Sequence, residues 1–246
     1  MVNNPFCLKG KHILVTGASS GIGRAIAKAC AEMGAVLFLN GRNTERLNST
    51  QAALSAGEHR VYPADLADAA AVDAMVADLP ALDGVVHCAG IGHRKICKLI
   101  DEQDVDTVMN ANFKATVLLQ TKLLQTKKLK KEASVIFIAS RAAESPSLGN
   151  AVYSASKAAI ISYARCLMLE LAPRKIRVNC ICPAMVWTEL IQQDGFDTES
   201  LKEAELQYPL KRFGKPEDIA WLAVYMLSDA ASWMTGSAVD ITGGGE

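Results

Sequence analysis

Lys11-His-Ile-Leu-Val-Thr16, Gly17-Ala-Ser-Ser-Gly21-Ile-Gly23 and Arg24-Ala-Ile-Ala-Lys-Ala-Cys-Ala-Glu-Met33 follow one another without a break. The first piece is a short apolar run suited to a strand buried on both faces. The last is strongly helical and stops at Gly34. Between them the glycines are spaced Gly-x-x-x-Gly-x-Gly, wider at the first gap than the Gly-x-Gly-x-x-Gly of the common dinucleotide fingerprint. A strand, a glycine-rich turn and a helix make a phosphate cradle. Without Cβ atoms the backbone approaches a pyrophosphate closely, and free N–H groups with the helix dipole favour the anion. The alternative is an ordinary turn between a strand and a helix, and the rest of the chain weighs against it.

Outward from this unit the same alternation repeats. Strand-like runs fall at 35–40, 59–63, 82–90 (the last residues a turn), 133–139, 175–181 and 237–241. Helical runs fall at 44–56, 69–79, 101–122, from 150 to the stop at Pro173, and at 216–227. Strict alternation means parallel strand–helix–strand units. The expected fold is therefore α/β, a Rossmann-type doubly wound parallel seven-stranded sheet with helices on both faces. No linker, repeat or low-complexity tract divides the chain, so residues 1–246 read as a single dinucleotide-binding catalytic domain. Within it, 189–214 mixes Phe196, Leu206, Tyr208 and Leu210 with charges and reads as a substrate lid.

Composition narrows the function. Formal net charge is zero, so no global field favours nucleic acid or a membrane surface. No apolar run approaches the roughly 18 residues that span a bilayer. The first ten residues lack a basic start and an apolar signal core, which reads as a cytoplasmic chain. The seven cysteines are odd in number and read as reduced, buried small hydrophobes. Cys180-Ile-Cys182 has no matching pair nearby, so no metal site is expected.

Tyr153 and Lys157 open the helix at 150, four residues apart and so on one helix face. A cation beside a phenol favours the phenolate and makes a proton-transfer pair. The bland alternative is a ring packed on a lysine stem. Ser140 closes the fifth strand, where ligands gather in open α/β sheets. Gly90 and Gly92 let the chain pass close to a ligand. Asn110 and Asn112 sit in mid-helix, where asparagine is a poor choice; capping or exposure is the default and a functional role the sharper reading. Past the second strand stands Arg42 and no carboxylate until Glu45, which favours NADP(H) over NAD(H). Asp65, at the end of the third strand, suits the adenine amino group or a helix cap. Lys127, Lys128, Lys130 and Lys131 crowd a connection that reads as a solvated face or as a docking patch for an acidic partner.

On these residues the chain resembles the short-chain dehydrogenase/reductase family over nearly its whole length. Thr16-Gly-Ala-Ser-Ser-Gly-Ile-Gly23 is similar to the family's cofactor loop, which implies binding by Gly17, Ser19, Ser20, Gly21, Ile22 and Gly23. Asn112, Ser140, Tyr153 and Lys157 fall where the catalytic tetrad falls. Asp65 with Leu66, Ala89 with Gly90, and Pro183 to Thr188 match further cofactor contacts, with Ala184 where glycine is usual. One departure is His87-Cys88-Ala89-Gly90 in place of Asn-Asn-Ala-Gly, so His87 must replace a sheet-supporting asparagine or leave a gap.

Within the family, Tyr-Ser-Ala-Ser-Lys-Ala, the Ile-Arg-Val-Asn strand and 209–220 look most like 3-oxoacyl-(acyl-carrier-protein) reductases of fatty acid biosynthesis. Sugar, steroid and other secondary-alcohol dehydrogenases share these features. The resemblance implies hydride transfer between nicotinamide and a small carbonyl or alcohol. Ser140 would hold the substrate oxygen, Tyr153 move the proton, Lys157 hold the nicotinamide ribose and Asn112 position a water. It also implies a homotetramer packed through the Tyr153 helix, to which Ala158, Ile161, Leu167 and Leu171 are candidates. An acyl carrier protein is a possible substrate carrier, met by Lys127 to Lys131 and Arg174. Readings of another class are a non-catalytic cofactor-binding regulator, which an intact tetrad disfavours, and a structural subunit that needs a partner for activity.

Overall fold

The computed structural model describes residues 4–189, 191 and 198–245. Seven parallel strands form one sheet: β1 (His12–Val15), β2 (Val36–Gly41), β3 (Arg60–Pro63), β4 (Leu82–His87), β5 (Leu129–Ile138), β6 (Arg177–Pro183) and β7 (Ala238–Ile241). Their spatial order is β3-β2-β1-β4-β5-β6-β7. The chain runs outward from β1 to β3, returns to the middle at β4 and runs outward again to β7. That reversal opens a crevice between β1 and β4 at the carboxyl ends of the strands, which is where ligands bind in such sheets.

Side chains that alternate along each strand divide the core in two. Ile13, Val15, Leu37 and Leu39 face one layer, with α1 (Gly21–Glu32) and the C-terminal helix Pro216–Leu227. Leu14, Phe38, Val85 and Val135 face the other, with α3 (Ala69–Asp78), α5 (Ala115–Gln125) and α6 (Ala151–Leu171). Between α1 and α3 lies α2 (Thr44–Ala52), and before α5 lies α4 (Glu102–Met109). Helices therefore cover both faces, as the alternation requires. Local chemistry starts them: Asn43 Oδ1 accepts from Arg46 N, Asp68 Oδ1 accepts from Ala70 N and Ala71 N, and Asp101 and Asp104 form a reciprocal capping box. Each such cap is worth about 1 kcal/mol.

Several expectations need correction. The helix expected at 101–122 is broken by a wider π turn, Asn110–Lys114. The extra residue swings Asn112 inward, where it is 2% exposed and bonds to a loop. Single π turns of this kind often mark functional positions. Strand β5 starts at Leu129, not 133, because Leu129 pairs with Leu82 ahead of a register shift. Its basic start is tied down in part, while Lys127 and Lys131 stay exposed. Lys128 Nζ donates to Ala77 O and Leu79 O, Lys130 pairs with Asp83 at 2.7 Å, and Arg174 bonds Leu129 O. These residues also lie at the amino ends of the strands, opposite the crevice, so this patch is badly placed to deliver a carrier-bound substrate. On α6, Ile161, Leu167 and Leu171 are buried against the sheet and unavailable to another subunit, whereas Leu169 is exposed. Cys7, Cys97 and Cys166 are exposed, against the expectation of burial, while Cys30, Cys180 and Cys182 are buried; all seven are free thiols.

The expected lid falls partly at residues 190 and 192–197, which lie outside the described residues. Its described part contains α7 (Thr198–Gln207), followed by α8 (Pro216–Leu227) beyond its end. Here Ile191, Leu201 and Phe213 form a small cluster with Met185, Trp187 and Tyr208. Glu205 Oε1 ties it together by accepting from Trp187 Nε1 and Phe213 N, both at 2.8 Å. No helix among the described residues is long and apolar enough to cross a membrane.

Candidate active site

The crevice is a cavity of about 960 Å³. One wall is the glycine turn. Gly17 and Gly21 have φ of +65° and +49°, values that favour glycine. A Cβ on Gly17 would stand 3.0 Å from Ala89 Cα, so the β1 turn lies directly on the β4 turn. Thr16 clamps the two together: its Oγ1 accepts from Cys88 N at 3.0 Å and Ala89 N at 3.1 Å. Sequence reasoning missed Thr16, although a hydroxyl at the last position before the turn was a signal. Helix α1 begins with Ser20, whose side chain makes no cap bond, and no carboxylate stands in its first turn. Its leading N–H groups therefore face the crevice without a competing acceptor from either source. This bare, Cβ-free cradle fits a pyrophosphate.

The far end of the crevice, beyond β2, holds Arg42, Arg46, Asp65 and Leu66. Arg42 is exposed and has no side-chain partner among the described residues. Asp65 Oδ1 accepts from Ala67 N, while Asp68 caps α3, so the capping alternative for Asp65 falls away. The opposite wall follows β6, from Pro183 to Thr188; Thr188 lies against Gly21, 3.3 Å from where a Cβ would stand.

At the near end, Ser140, Tyr153 and Lys157 line the same cavity. Ser140 sits past β5, with its Oγ accepting from Ala142 N at 3.1 Å. Tyr153 is half-buried in the first turn of α6. One turn on, Lys157 is 7% exposed; its Nζ donates to Ile138 O at 2.9 Å and stands 5.7 Å from the Tyr153 ring centroid. The ammonium thus lies over the ring, held by a strand carbonyl, with donors left for a ligand. Asn112 does not line the cavity. It stands behind it, with Oδ1 accepting from Ile91 N and Nδ2 donating to Ile91 O and Ser156 Oγ. Ser156 donates in turn to Tyr153 O. The π turn thereby fixes the Gly90 loop and the Tyr153 turn relative to each other.

His87 fills the place in question rather than leaving a gap. It is buried, stacked on Phe137 at 4.7 Å and 9°, with Nε2 and Gln120 Oε1 2.9 Å apart. Among the described residues His87 Nδ1 and Gln120 Nε2 lack partners. Burial pushes the ring's pKa down to about 4, against the opposing pull of Gln120. Cys88, beside it, reaches the crevice surface in part, yet burial pushes its thiol up to about 12 against the charge of Lys157. It stays protonated and offers no thiolate chemistry.

The His87 shift has a consequence for stability. Below pH 6.5 the unfolded chain protonates this ring, while the folded chain keeps it neutral to about pH 4. The unfolded state then binds more protons, so stability falls as pH drops through that window, by about 3 kcal/mol when fully expressed. Denaturant melts of wild type and His87→Asn at pH 7 and pH 4.5 should show a steeper loss in wild type. Equal losses would mean that the ring titrates normally in the fold.

Residues 17–246 match a family model described as enoyl-(acyl carrier protein) reductase. The chain is 32% identical to the 3-oxoacyl-(acyl-carrier-protein) reductase FabG of Rickettsia prowazekii, over 96% of this chain and 97% of that one. It is 35% identical to the D-threitol dehydrogenase of Mycolicibacterium smegmatis, over 99% and 95% of the two chains. A solved short-chain dehydrogenase/reductase of Brucella melitensis, titled glucose/ribitol dehydrogenase, superposes with a TM-score of 0.91 at 32% identity, covering 98% of each chain.

Proposed function

Because the chain belongs to the short-chain dehydrogenase/reductase family, whose members are oxidoreductases acting on carbonyl and CH–OH groups, we propose that it interconverts a ketone and a secondary alcohol with NADP(H). The observation that carries this is one cavity holding the phosphate cradle at one end and Ser140, Tyr153 and Lys157 at the other. Gly17 to Gly23, Ala89, Gly90 and Pro183 to Thr188 would hold the cofactor. When bound, it supplies or accepts the hydride.

The chain's own residues do the rest. Ser140 Oγ donates to the substrate oxygen and fixes it. Tyr153 gives that oxygen a proton during reduction and takes it back during oxidation. Lys157, pinned by Ile138 O, keeps positive charge over the Tyr153 ring and turns its remaining donors to the ribose hydroxyls. Asn112 is a positioning residue: with Nδ2 committed to Ile91 and Ser156, it retains one Oδ1 lone pair for a water. The whole chain acts as one catalytic domain, with 189, 191 and 198–214 as the described part of the substrate cover. The proposed assembly is a cytoplasmic homotetramer.

The first substrate reading is a 3-oxoacyl thioester, free or on acyl carrier protein, in line with the Rickettsia relative. A second reading, a polyol or sugar, is favoured by the polar lining beyond Tyr153, where Ser145, Ser147 and Asn150 stand. Initial rates with NADPH and acetoacetyl-CoA, and with NADP and D-threitol, separate the two. Arg42→Ala should weaken NADPH binding by about ten-fold and leave NADH binding unchanged in fluorescence titrations. Equal weakening of both would remove the 2′-phosphate from the role given to Arg42.

A further inference from the structure

Arg46, which sequence reasoning passed over, lines the crevice at the same end as Arg42. It lies four residues further on, a signal that was available. Its backbone is fixed: Arg46 N donates to Asn43 Oδ1, and Arg46 O accepts from Thr50 Oγ1 and Arg24 Nη2. Its side chain is committed elsewhere. Arg46 Nη1 is 2.6 Å from Glu189 Oε2, and both side chains are about half exposed, 51% and 49%. Glu189 follows β6, three strands beyond β1 in the sheet, whereas α2 follows β2 on the other side of it. The segment after β6 therefore crosses above the carboxyl ends of β5, β4 and β1. It touches the glycine turn where Thr188 meets Gly21 and reaches α2 through the Arg46–Glu189 ion pair.

A carboxylate placed there does two things to an anion arriving beside Arg42. It occupies the guanidinium that would neutralise the anion, and it adds a like charge next to it. We propose that Arg46 is a second cation for the cofactor 2′-phosphate and that Glu189 competes with the phosphate for it, so that this pair sets how strongly the chain discriminates NADP(H) from NAD(H). The inference rests on the cofactor reading above. A cofactor with a plain 2′-hydroxyl cannot displace Glu189 and leaves the pair intact. A 2′-phosphate draws the planar donor fork of Arg46 to itself, because phosphate carries more charge and suits bidentate contact.

Fluorescence titration of the full chain with NADPH and NADH, on wild type, R46Q, E189Q and the double variant, tests this. R46Q should weaken NADPH by about ten-fold and leave NADH within two-fold. E189Q should tighten NADPH by about two- to five-fold, the weight of an exposed pair, with NADH unmoved. In the double variant the gain from E189Q should vanish, because the cation it frees is gone. An E189Q chain with unchanged NADPH affinity overturns the competition. So does one that loses NADH instead, since Glu189 would then be accepting from the ribose hydroxyl. A wild-type chain that binds NADPH and NADH equally removes the cofactor reading itself, which is a separate failure from either of these.

Discussion

Tyr153→Phe is expected to bind NADPH as wild type does and to lose turnover by about 10²- to 10⁴-fold, the usual weight of a positioned proton donor. The substitution removes one oxygen and little else. Lys157 Nζ stands over the ring, not at its hydroxyl, so a phenyl ring keeps that contact and keeps the ammonium where Ile138 O holds it. Among the described residues no protein group bonds the Tyr153 hydroxyl, so its loss strands no partner, and the melting temperature should barely move. Cofactor binding draws on the far end of the crevice and on Lys157, both intact. The measurement is kcat with the better substrate of the panel, beside an NADPH titration of the same preparation. A variant with near-normal kcat would place the proton elsewhere and overturn the role given to Tyr153. A variant that lost NADPH binding as well would make the hydroxyl a cofactor contact, and lost turnover would then no longer isolate proton transfer.

The order of strands and helices was legible because it rests on local signals. Fully buried runs such as Ile13-Leu-Val15 and Val135-Ile-Phe137 cannot sit anywhere but mid-sheet, and glycine, proline and capping carboxylates punctuate them. What was not legible is what distant partners decide. The turn at Asn110–Lys114 widens because the Asn112 amide finds Ile91, 21 residues back, and Ser156, 44 residues on. No window on the helix itself contains that information. His87 could be read as a departure but not as a solution, since Gln120 lies 33 residues away. Strand β5 hid its start because Lys130 looks solvated until Asp83 is beside it. On α6 the apolar residues Ile161, Leu167 and Leu171 were equally fit for the sheet or for another subunit, and only packing chose the sheet. The Arg46–Glu189 pair joins residues 143 apart and is invisible to any local pattern. The candidate chemistry stood out earlier than this because its residues cluster at strand ends and in the first turns of helices, which a parallel alternation brings to one edge of the sheet.

Gly23→Ala should do the most damage of any single methyl group added to this chain. A Cβ at Gly23 would stand 2.3 Å from Gly17 O and 2.7 Å from Gly17 C, well inside contact and against backbone atoms. Gly17 has little room to retreat. Its φ of +65° fixes the turn, and Ala89 Cα and N stand only 3.0 Å from where a Gly17 Cβ would be. Ala89 is held in turn by Thr16 Oγ1. Three backbones are therefore stacked with no flexible side chain between them, and the added methyl must push α1 away from the turn. Over-packing of this kind costs on the order of 3 kcal/mol. The same displacement moves the first-turn N–H groups that face the crevice, and loss of two charge-assisted bonds is worth at least about 100-fold in affinity. Melting should therefore fall and the NADPH titration should go flat together. A G23A chain that melted lower yet still bound NADPH normally would separate the two effects, and would mean that the phosphates sit on donors other than the first turn of α1.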